Sequence, residues 1–408
     1  MKSIYMNKRV SRVVAHANAW PWILVFCISS LFVLVASIIF IWTPIYGGDT
    51  GVYRSYSAAI WGGNMPYKDF FIEYLPGVLP FIILAQPVGI LLGNYTLGFM
   101  LLSSLAVILF LYDRYRQVGQ QAAAISALIL VPVLAYVIFQ LDVFAALALY
   151  GALRALRGGR LDVSAIFLVC SLLIKGYPLI CLPVILMAIP RFKRLRYLFI
   201  TALGLVAGML PFMLASPSGV WHAFQYHSER PLEIVSGPAA VGFVFHFLGQ
   251  AAQIGVSHKS WSLHFPMEDT VGVASVVLLL LGLIATMVIY RRYGYRKPAT
   301  ACLAALLVFV LTFKVGSPQF LVPVFFLATL AADEIPRPIR WQLWLRLLLV
   351  GIAVLAILLN YRGLITMHSF AGALVVLRTI LTAELLIWVL RNLRSDKQLM
   401  TKLPKNTL

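Results

Sequence analysis

Long apolar runs constrain this chain more than any other feature of its sequence. About twelve of them are long enough to cross a bilayer as helices, which takes roughly 17 to 25 residues, or a little fewer at tight loops. Hydrophobic residues make up 61% of the chain and charged residues 12%, with a mean hydropathy of +0.91, which excludes a soluble globular protein. We therefore predict an all-α, polytopic membrane protein in which residues 1–408 form a single membrane domain. The predicted spans are 22–43, 95–111, 120–138, 140–154, 162–175, 177–190, 196–215, 270–290, 298–313, 319–333, 342–359 and 371–391.

The distribution of the 33 Lys and Arg residues predicts the orientation of these spans. If the N-terminus is cytoplasmic and the spans alternate, most of the basic residues fall in cytoplasmic loops, as the positive-inside rule requires. The formal charge of +19 then reflects membrane topology, and no nucleic-acid partner is predicted. The same rule keeps two further apolar stretches, 78–92 and 238–256, on the outer side, the first as a helix lying on or dipping into the outer leaflet. The predicted location is the cell (plasma) membrane, with both termini in the cytoplasm.

Two long outer segments, 44–94 and 216–269, hold most of the polar chemistry. The first combines carboxylates, including Asp49 and Glu73, with several tyrosines beside the membrane surface. Lipid contact alone does not require such a cluster. The four cysteines all fall in predicted spans and supply no disulfide framework. The histidine spacings match no compact ligand motif, so no metal site is predicted.

Asp49 directly follows the first predicted span and precedes a short helical stretch, 52–61. One interpretation makes it the N-cap of that helix, because a carboxylate oxygen accepts hydrogen bonds from the first free N–H groups. The other makes it a base at the membrane surface, able to take a proton from a hydroxyl nucleophile. The two roles are compatible, and the residue alone leaves both open.

Three cations near the predicted outer surface are candidates for an anion site. Arg230 offers a guanidinium fork suited to phosphate oxygens, or it pairs with Glu229 or Glu233. Lys314 and Lys175 lie at the outer ends of spans, where each either extends to the lipid headgroups or joins Arg230 at one depth.

Three further charged residues fall within or at the ends of predicted spans. Asp142 lies near the outer start of the fourth span, and the last span contains Glu384 and Arg378. Charged groups in a membrane are costly, so these residues are interpreted as holding helices together by pairing, with proton relay as the alternative.

The motifs of both outer segments, taken in order, resemble GT-C membrane glycosyltransferases. The first outer loop carries Asp49, Tyr53, Gly63, Pro66-Tyr67 and Tyr74-x-Pro76. Further matches are Gln140-Leu141-Asp142, Lys175-x-Tyr177-Pro178, His227-x-Glu229-Arg230-Pro231-Leu232-Glu233-x-x-Ser236 and Lys314-x-x-Ser317-Pro318-Gln319-Phe320. The nearest branch is similar to the bacterial polyprenol-phosphate-mannose-dependent alpha-mannosyltransferases. The sequence departs from that pattern at Pro231-Leu232-Glu233, where a Gly-Leu-Gln-type run is usual.

This resemblance implies about twelve transmembrane helices, with juxtamembrane helices in the first outer loop, and an inverting glycosyltransferase. A hexose, with mannose as the first expectation, would pass from a polyprenyl-phosphate-sugar donor to a lipid-linked or cell-envelope glycan on the outer face of the membrane. Asp49 is the implied catalytic base. The residues expected at the donor phosphate are Arg230, Lys314, His227 and Lys175, and those expected at the sugar or acceptor are Tyr53, Tyr67, Glu73, Tyr74 and Gln319.

Two properties of the reaction complete this prediction. The departing phosphate is already a competent leaving group, so no cofactor is required, although a divalent metal is compatible with the reaction. The tyrosines would stack on sugar rings, or they anchor the chain at the membrane interface among the lipids.

Three other functions fit a multi-pass chain of this kind. A flippase or transporter for lipid-linked sugars fits the helices, although we find no inverted repeat in the sequence. A polysaccharide polymerase or ligase would join preassembled glycans with the same kinds of outer-loop residues. A purely structural scaffold gives no reason for the outer polar clusters.

Overall fold

The computed structural model describes residues 47–294 and 296–394, and it is nearly all-α. The predicted span 22–43 lies outside the described residues. The helices are α1 (Gly47–Trp61), α2 (Leu79–Leu91), α3 (Tyr95–Val118), α4 (Gln120–Leu130), α5 (Leu134–Phe139), α6 (Asp142–Arg157), α7 (Leu161–Ile174), α8 (Leu182–Ala188), α9 (Arg191–Ala215), α10 (Pro217–Glu229), α11 (Ala239–Phe247), α12 (Glu268–Ile289), α13 (Pro298–Thr312), α14 (Val322–Glu334), α15 (Arg340–Leu359), α16 (Tyr361–Ile365) and α17 (Ser369–Arg394).

Six helical segments of the described residues are long and apolar enough to cross a membrane. They are Tyr95–Val118, Gln120–Phe139, Arg191–Ala215, Glu268–Gly294, Arg337–Leu359 and Ser369–Arg394. Shorter apolar helices cover Pro76–Leu91, Leu161–Ile174, Tyr177–Ala188 and Pro298–Thr312. Each span predicted after residue 94 falls on a helix, with ends that differ by a few residues. The structure therefore confirms a nearly all-helical protein, and six segments of the described residues are able to cross a membrane by their length and composition.

Proline divides several of the predicted spans into a 3₁₀ turn followed by an α-helix. Pro132 lies in the turn Val131–Val133 between α4 and α5, and Pro318 begins the turn Pro318–Leu321 before α14. A proline has no N–H to donate and fixes its own φ, so it is tolerated at a helix start but interrupts a helix interior. Near these interruptions, Tyr136, Gln140 and Gln319 line one cavity.

The helices differ sharply in how much protein surrounds them. Helices α6, α13 and α14 are buried over most of their length and form the centre of the larger apolar core. In contrast, α9 and α12 leave most of their apolar side chains exposed. In a membrane these exposed faces contact lipid, which is as apolar as the side chains themselves.

A polar network joins the ends of four helices, α3, α6, α13 and α14. Arg114 of α3 donates to both carboxylate oxygens of Asp333 in α14, at 2.8 and 3.0 Å. Arg157 of α6 donates to Glu334 at 2.6 Å, and the same carboxylate accepts from the backbone N–H of Thr300 at the start of α13, at 2.7 Å. The Arg114 side chain is only 2% exposed, so this pairing satisfies a charge that would otherwise be buried alone.

Glu384 and Arg378, which the sequence groups together in the last span, have different partners. Glu384 accepts from Arg346 of α15 at 2.9 Å, so it holds two helices together but through a different arginine. Arg378 is fully buried and interacts electrostatically with Tyr136 and Glu233.

One β-hairpin interrupts the all-α prediction. Strands β1 (Gln253–Ser257) and β2 (Ser260–His264) pair antiparallel, with Ile254 opposite Leu263 and Val256 opposite Trp261. The predicted apolar stretch 238–256 is thus divided between helix α11 and strand β1. Apolar residues alternate along both strands, which is a strand signal, but the turn His258-Lys259 lacks the Asn-Gly chemistry that usually marks a hairpin.

Candidate active-site cavity

Asp49 lies in the first turn of α1, where a hydrogen-bond chain fixes its carboxylate. The Gln140 side-chain amide donates to Asp49 Oδ2 at 2.5 Å, and the Gln140 carbonyl oxygen accepts from the Tyr53 hydroxyl at 3.2 Å. Asp49 and Tyr53 are four residues apart on one helix, so they lie on the same face. Because α1 already begins at Gly47, Asp49 is inside the helix and is not the N-cap of a helix starting at residue 52.

The environment of Asp49 raises the pKa of its carboxyl above the ordinary value. The largest cause is burial, since the surrounding protein removes bulk water and disfavours the charged form. The Gln140 hydrogen bond and the Lys175 charge oppose this effect, while Glu73 adds to it. Asp49 nevertheless has exposed surface, because it faces an open cavity. A raised pKa makes an accessible carboxylate a stronger base than an ordinary aspartate, which suits it to accept a proton.

A cavity of about 440 Å³ brings Asp49 and Arg230 together. Its wall combines carboxylates, cations, amides and aromatic rings contributed by both predicted outer segments and by span ends. The charged lining residues are Asp49, Glu73, Arg230, Glu233 and Lys259, and the aromatic ones are Tyr74, Tyr136, Trp261, Phe320 and Tyr361. Three other cavities include several basic and acidic residues at the far ends of the helices, and a fourth is almost entirely apolar.

Five of the residues predicted for the site line this cavity. They are Asp49, Glu73, Tyr74, Arg230 and Gln319. The structure thus brings together residues from α1, from the loop before α2, from the end of α10 and from the turn before α14. The fold therefore brings together residues that are up to 270 positions apart in the sequence.

The two lysines predicted at the phosphate are engaged outside the cavity wall. Lys175 Nζ is 3.4 Å from the fully buried Asp142 and 4.9 Å from the ring centre of Tyr74. Lys314 Nζ donates to the carbonyl oxygen of Ser228 at 2.9 Å, and burial lowers the pKa of its ammonium. Each lysine therefore holds in place a segment that contributes residues to the cavity.

The remaining three predicted residues, His227, Tyr67 and Tyr53, also lie outside the lining. His227 Nε2 is 2.8 Å from the carbonyl oxygen of Glu73, and burial lowers the pKa of its imidazole, which favours the neutral form. The Tyr67 hydroxyl donates to the carbonyl oxygen of Tyr74 at 2.5 Å, and Tyr53 is fully buried. These contacts hold the loop that presents Glu73 and Tyr74 to the cavity.

Arg230 forms a loose ion pair with Glu233, one of the two partners that the sequence offers. Arg230 Nη2 lies 3.7 Å from Glu233 Oε2, while Glu229 instead accepts from Gln225. Both Arg230 Nε and Glu233 Oε2 are buried without a hydrogen-bond partner in the structure. Burial raises the pKa of Glu233, and the Arg230 charge opposes this effect. Among the described residues, Arg230 thus lines the cavity with this loose ion pair as its only charged contact.

Sequence reasoning gave no role to several residues of the cavity wall. Tyr136 and Tyr361 fall within or beside apolar runs and carry no local signal. Lys259 and Trp261 were missed because the hairpin that presents them was not predicted. Among the described residues, no three side chains of the metal-ligating types approach closely enough to hold an ion.

Comparison of the chain with protein-family models, with curated proteins and with solved structures found no match. A proposal of function therefore rests on the geometry of the cavity.

Proposed function

We propose that the protein is an inverting glycosyltransferase that moves a hexose, with mannose as the first candidate, from a polyprenyl-phosphate donor to a lipid-linked or cell-envelope glycan. One observation carries the proposal: Asp49 and Arg230 line the same cavity. A base and an anion ligand that share an accessible cavity are the two groups that displacement of a phosphate from a sugar requires.

In the proposed reaction, Asp49 accepts the proton of the acceptor hydroxyl as its oxygen attacks the anomeric carbon. The new C–O bond forms on the face opposite the phosphate, the C1–O bond to phosphate breaks, and its electron pair leaves with the polyprenyl phosphate. Arg230 stabilises the negative charge that develops on that phosphate. The hydrogen bond from Gln140 keeps the Asp49 carboxylate oriented toward the cavity.

The proposed topology has about twelve spans, including 22–43, with α1 and α2 at the outer membrane surface. Helix α6 supports this orientation, because Gln140 and the cavity lie at its start and Arg157 lies at its end. Its 16 residues separate the two ends by about 24 Å at 1.5 Å per residue. The positive-inside rule favours the cytoplasm for the end rich in arginine, so in the proposed orientation the cavity faces the extracytoplasmic side of the cell membrane.

An extracytoplasmic cavity determines the kind of donor. Nucleotide sugars are cytosolic, so a transferase that works on the outer face takes its sugar from a lipid carrier. The acceptor is then a glycan or glycolipid at the same surface. The short apolar helix Pro76–Leu91, next to the Glu73 loop, would lie at the depth of the lipid headgroups.

The test is a transfer assay with the purified protein in lipid vesicles. The substrates are a radiolabelled polyprenyl-phosphate hexose and a glycolipid extract of the membrane. We expect labelled glycolipid, free polyprenyl phosphate and an anomeric configuration opposite to that of the donor, and no product when a nucleotide sugar replaces the donor. Lipid movement across the vesicle without bond cleavage would instead establish a flippase, and addition of preassembled glycan blocks would establish a polymerase or ligase.

A further inference from the structure

The turn of the β-hairpin has a backbone conformation that is strained for the two residues that form it. His258 and Lys259 form the two-residue connection between β1 and β2, with φ of 49° and 56°. Asn and Gly dominate such turns because L-residues with larger side chains are strained in the left-handed region. Strain of this kind persists where the surrounding structure enforces it, and it frequently marks a functional position.

Contacts on both sides hold the hairpin in place. The Tyr226 hydroxyl donates to the carbonyl oxygen of His258 at the tip, at 2.5 Å. Along β2, the N–H of Ile234 donates to the Trp261 carbonyl at 3.0 Å, and the N–H of Leu263 donates to the Leu232 carbonyl at 2.9 Å. The hairpin is thus the edge of a small sheet completed by the segment that follows Arg230. Its tip is a fixed part of the cavity wall.

Lys259 brings a second cation into the cavity, separate from Arg230. Its Nζ lies 5.8 Å from the ring centre of Tyr56 and, within the described residues, it forms no ion pair. Arg230 is already next to Glu233, whereas Lys259 is exposed at the tip of the hairpin. The cavity also contains the carboxylates of Asp49 and Glu73, which repel an acidic ligand unless a cation offsets them.

Trp261 supplies a flat apolar surface next to this cation. Its side chain is half-buried, lines the cavity and contacts no other aromatic ring among the described residues. An indole face packs well against the C–H face of a pyranose, since both are apolar and flat. Lys259 and Trp261 are two residues apart on one strand end, so one ligand can contact both.

We propose that Lys259 and Trp261 form a subsite for an acidic sugar, with the indole against the ring and the ammonium at a carboxylate or phosphate substituent. The identification of this sugar as part of the acceptor rests on the proposed function, in which the phosphate of the donor binds at Arg230. The inference therefore narrows the acceptor to a glycan that carries negative charge close to the reacting hydroxyl.

Saturation-transfer NMR on the protein in nanodiscs tests the subsite without any need for catalysis. The probes are methyl glucuronide, glucose 6-phosphate and methyl glucoside, which carry a carboxylate, a phosphate and no charge. We expect at least one acidic probe to bind about tenfold more tightly than the glucoside, as one charge-assisted contact allows. Which acidic probe is preferred identifies the substituent.

Variants assign the binding to the two residues. Lys259→Met should remove the preference for acidic probes and leave glucoside binding unchanged, while Lys259→Arg restores the preference. Trp261→Ala should weaken all three probes and Trp261→Phe should retain them, which separates lost stacking from lost folding. Lys68→Met and Trp221→Ala change an exposed lysine and an exposed tryptophan outside the cavity and serve as controls.

Two results would overturn the subsite. The first is equal binding of charged and neutral probes by the wild type, and the second is an undiminished preference for acid in Lys259→Met. Because binding is read directly, neither result depends on the transfer assay. A protein that transfers sugar but shows no acid preference retains its proposed function and loses only this subsite, and a protein that binds acidic sugars but transfers none loses only the function.

Discussion

The hydrogen-bond chain from Tyr53 through Gln140 to Asp49 predicts that its two bonds contribute unequally to kcat/KM. Gln140→Ala removes a bond to a carboxylate, which contributes about 1.5–3 kcal/mol and corresponds to roughly a 10- to 150-fold loss of kcat/KM. Tyr53→Phe removes a bond between neutral groups, worth about 0.5–1.5 kcal/mol, and should lower kcat/KM by roughly 2- to 13-fold. The order of the two losses follows from the positions of the two bonds in the chain.

The pH dependence of kcat/KM should also change, in a direction that the pKa of Asp49 determines. In the proposed reaction Asp49 acts as a carboxylate, so activity should fall as the pH drops through its pKa, which burial raises. The Gln140 bond stabilises the charged form, and its removal raises the pKa further. The acid limb of kcat/KM should therefore move to higher pH in Gln140→Ala.

The assay is the transfer reaction measured from acid to neutral pH. Tyr95→Phe is the matched control, because the Tyr95 hydroxyl donates to a backbone carbonyl at 3.1 Å away from the cavity. This variant should lose a similar bond without loss of rate. An acid limb that stays in place in Gln140→Ala, or a Tyr95→Phe variant as slow as Tyr53→Phe, would refute the reasoning.

Three further predictions follow from the same structure. Arg230→Ala should lower kcat/KM by about 10²- to 10³-fold, measured with varied donor, and Arg230→Lys should recover part of it. Asp333→Asn leaves Arg114 without its charged partner and should cost about 2–3 kcal/mol in denaturation, whereas Asp162→Asn, at an exposed pair, should cost less than about 1 kcal/mol. Gly219→Ala would place a Cβ against the backbone oxygen of Tyr67 and should lower the free energy of unfolding by about 1–3 kcal/mol. A lower temperature of thermal unfolding would report this loss.

The helical architecture was largely predictable because hydrophobicity decides it. Apolar runs long enough to span a bilayer have one stable backbone solution in lipid, and the structure has a helix at each run predicted after residue 94. The interruptions at Pro132 and Pro318 were harder to place, since proline predicts a break but does not say where its neighbours are directed. The hairpin was missed because its turn is a strained His-Lys pair.

The cavity was predictable only in part, for a different reason. Asp49 and Arg230 belong to polar clusters that stand out against apolar sequence, which made them candidates. Residue type left the role of each open, and the roles of base and phosphate ligand came from the family resemblance. Tyr136 and Tyr361 lie among apolar residues, and only the fold reveals that they face the cavity. For Lys175 we predicted either the lipid headgroups or the anion site as its partner, and the structure shows a third arrangement, an ion pair with the buried Asp142.

The pairing of Asp49 as base with Arg230 as donor ligand is the central claim, and Asp49→Asn tests it most directly. The amide keeps the shape of the side chain but accepts no proton. We predict that this variant binds a fluorescent polyprenyl-phosphate hexose as tightly as the wild type while transfer falls by about 10²- to 10⁴-fold. Wild-type transfer by a correctly inserted Asp49→Asn protein would contradict the account.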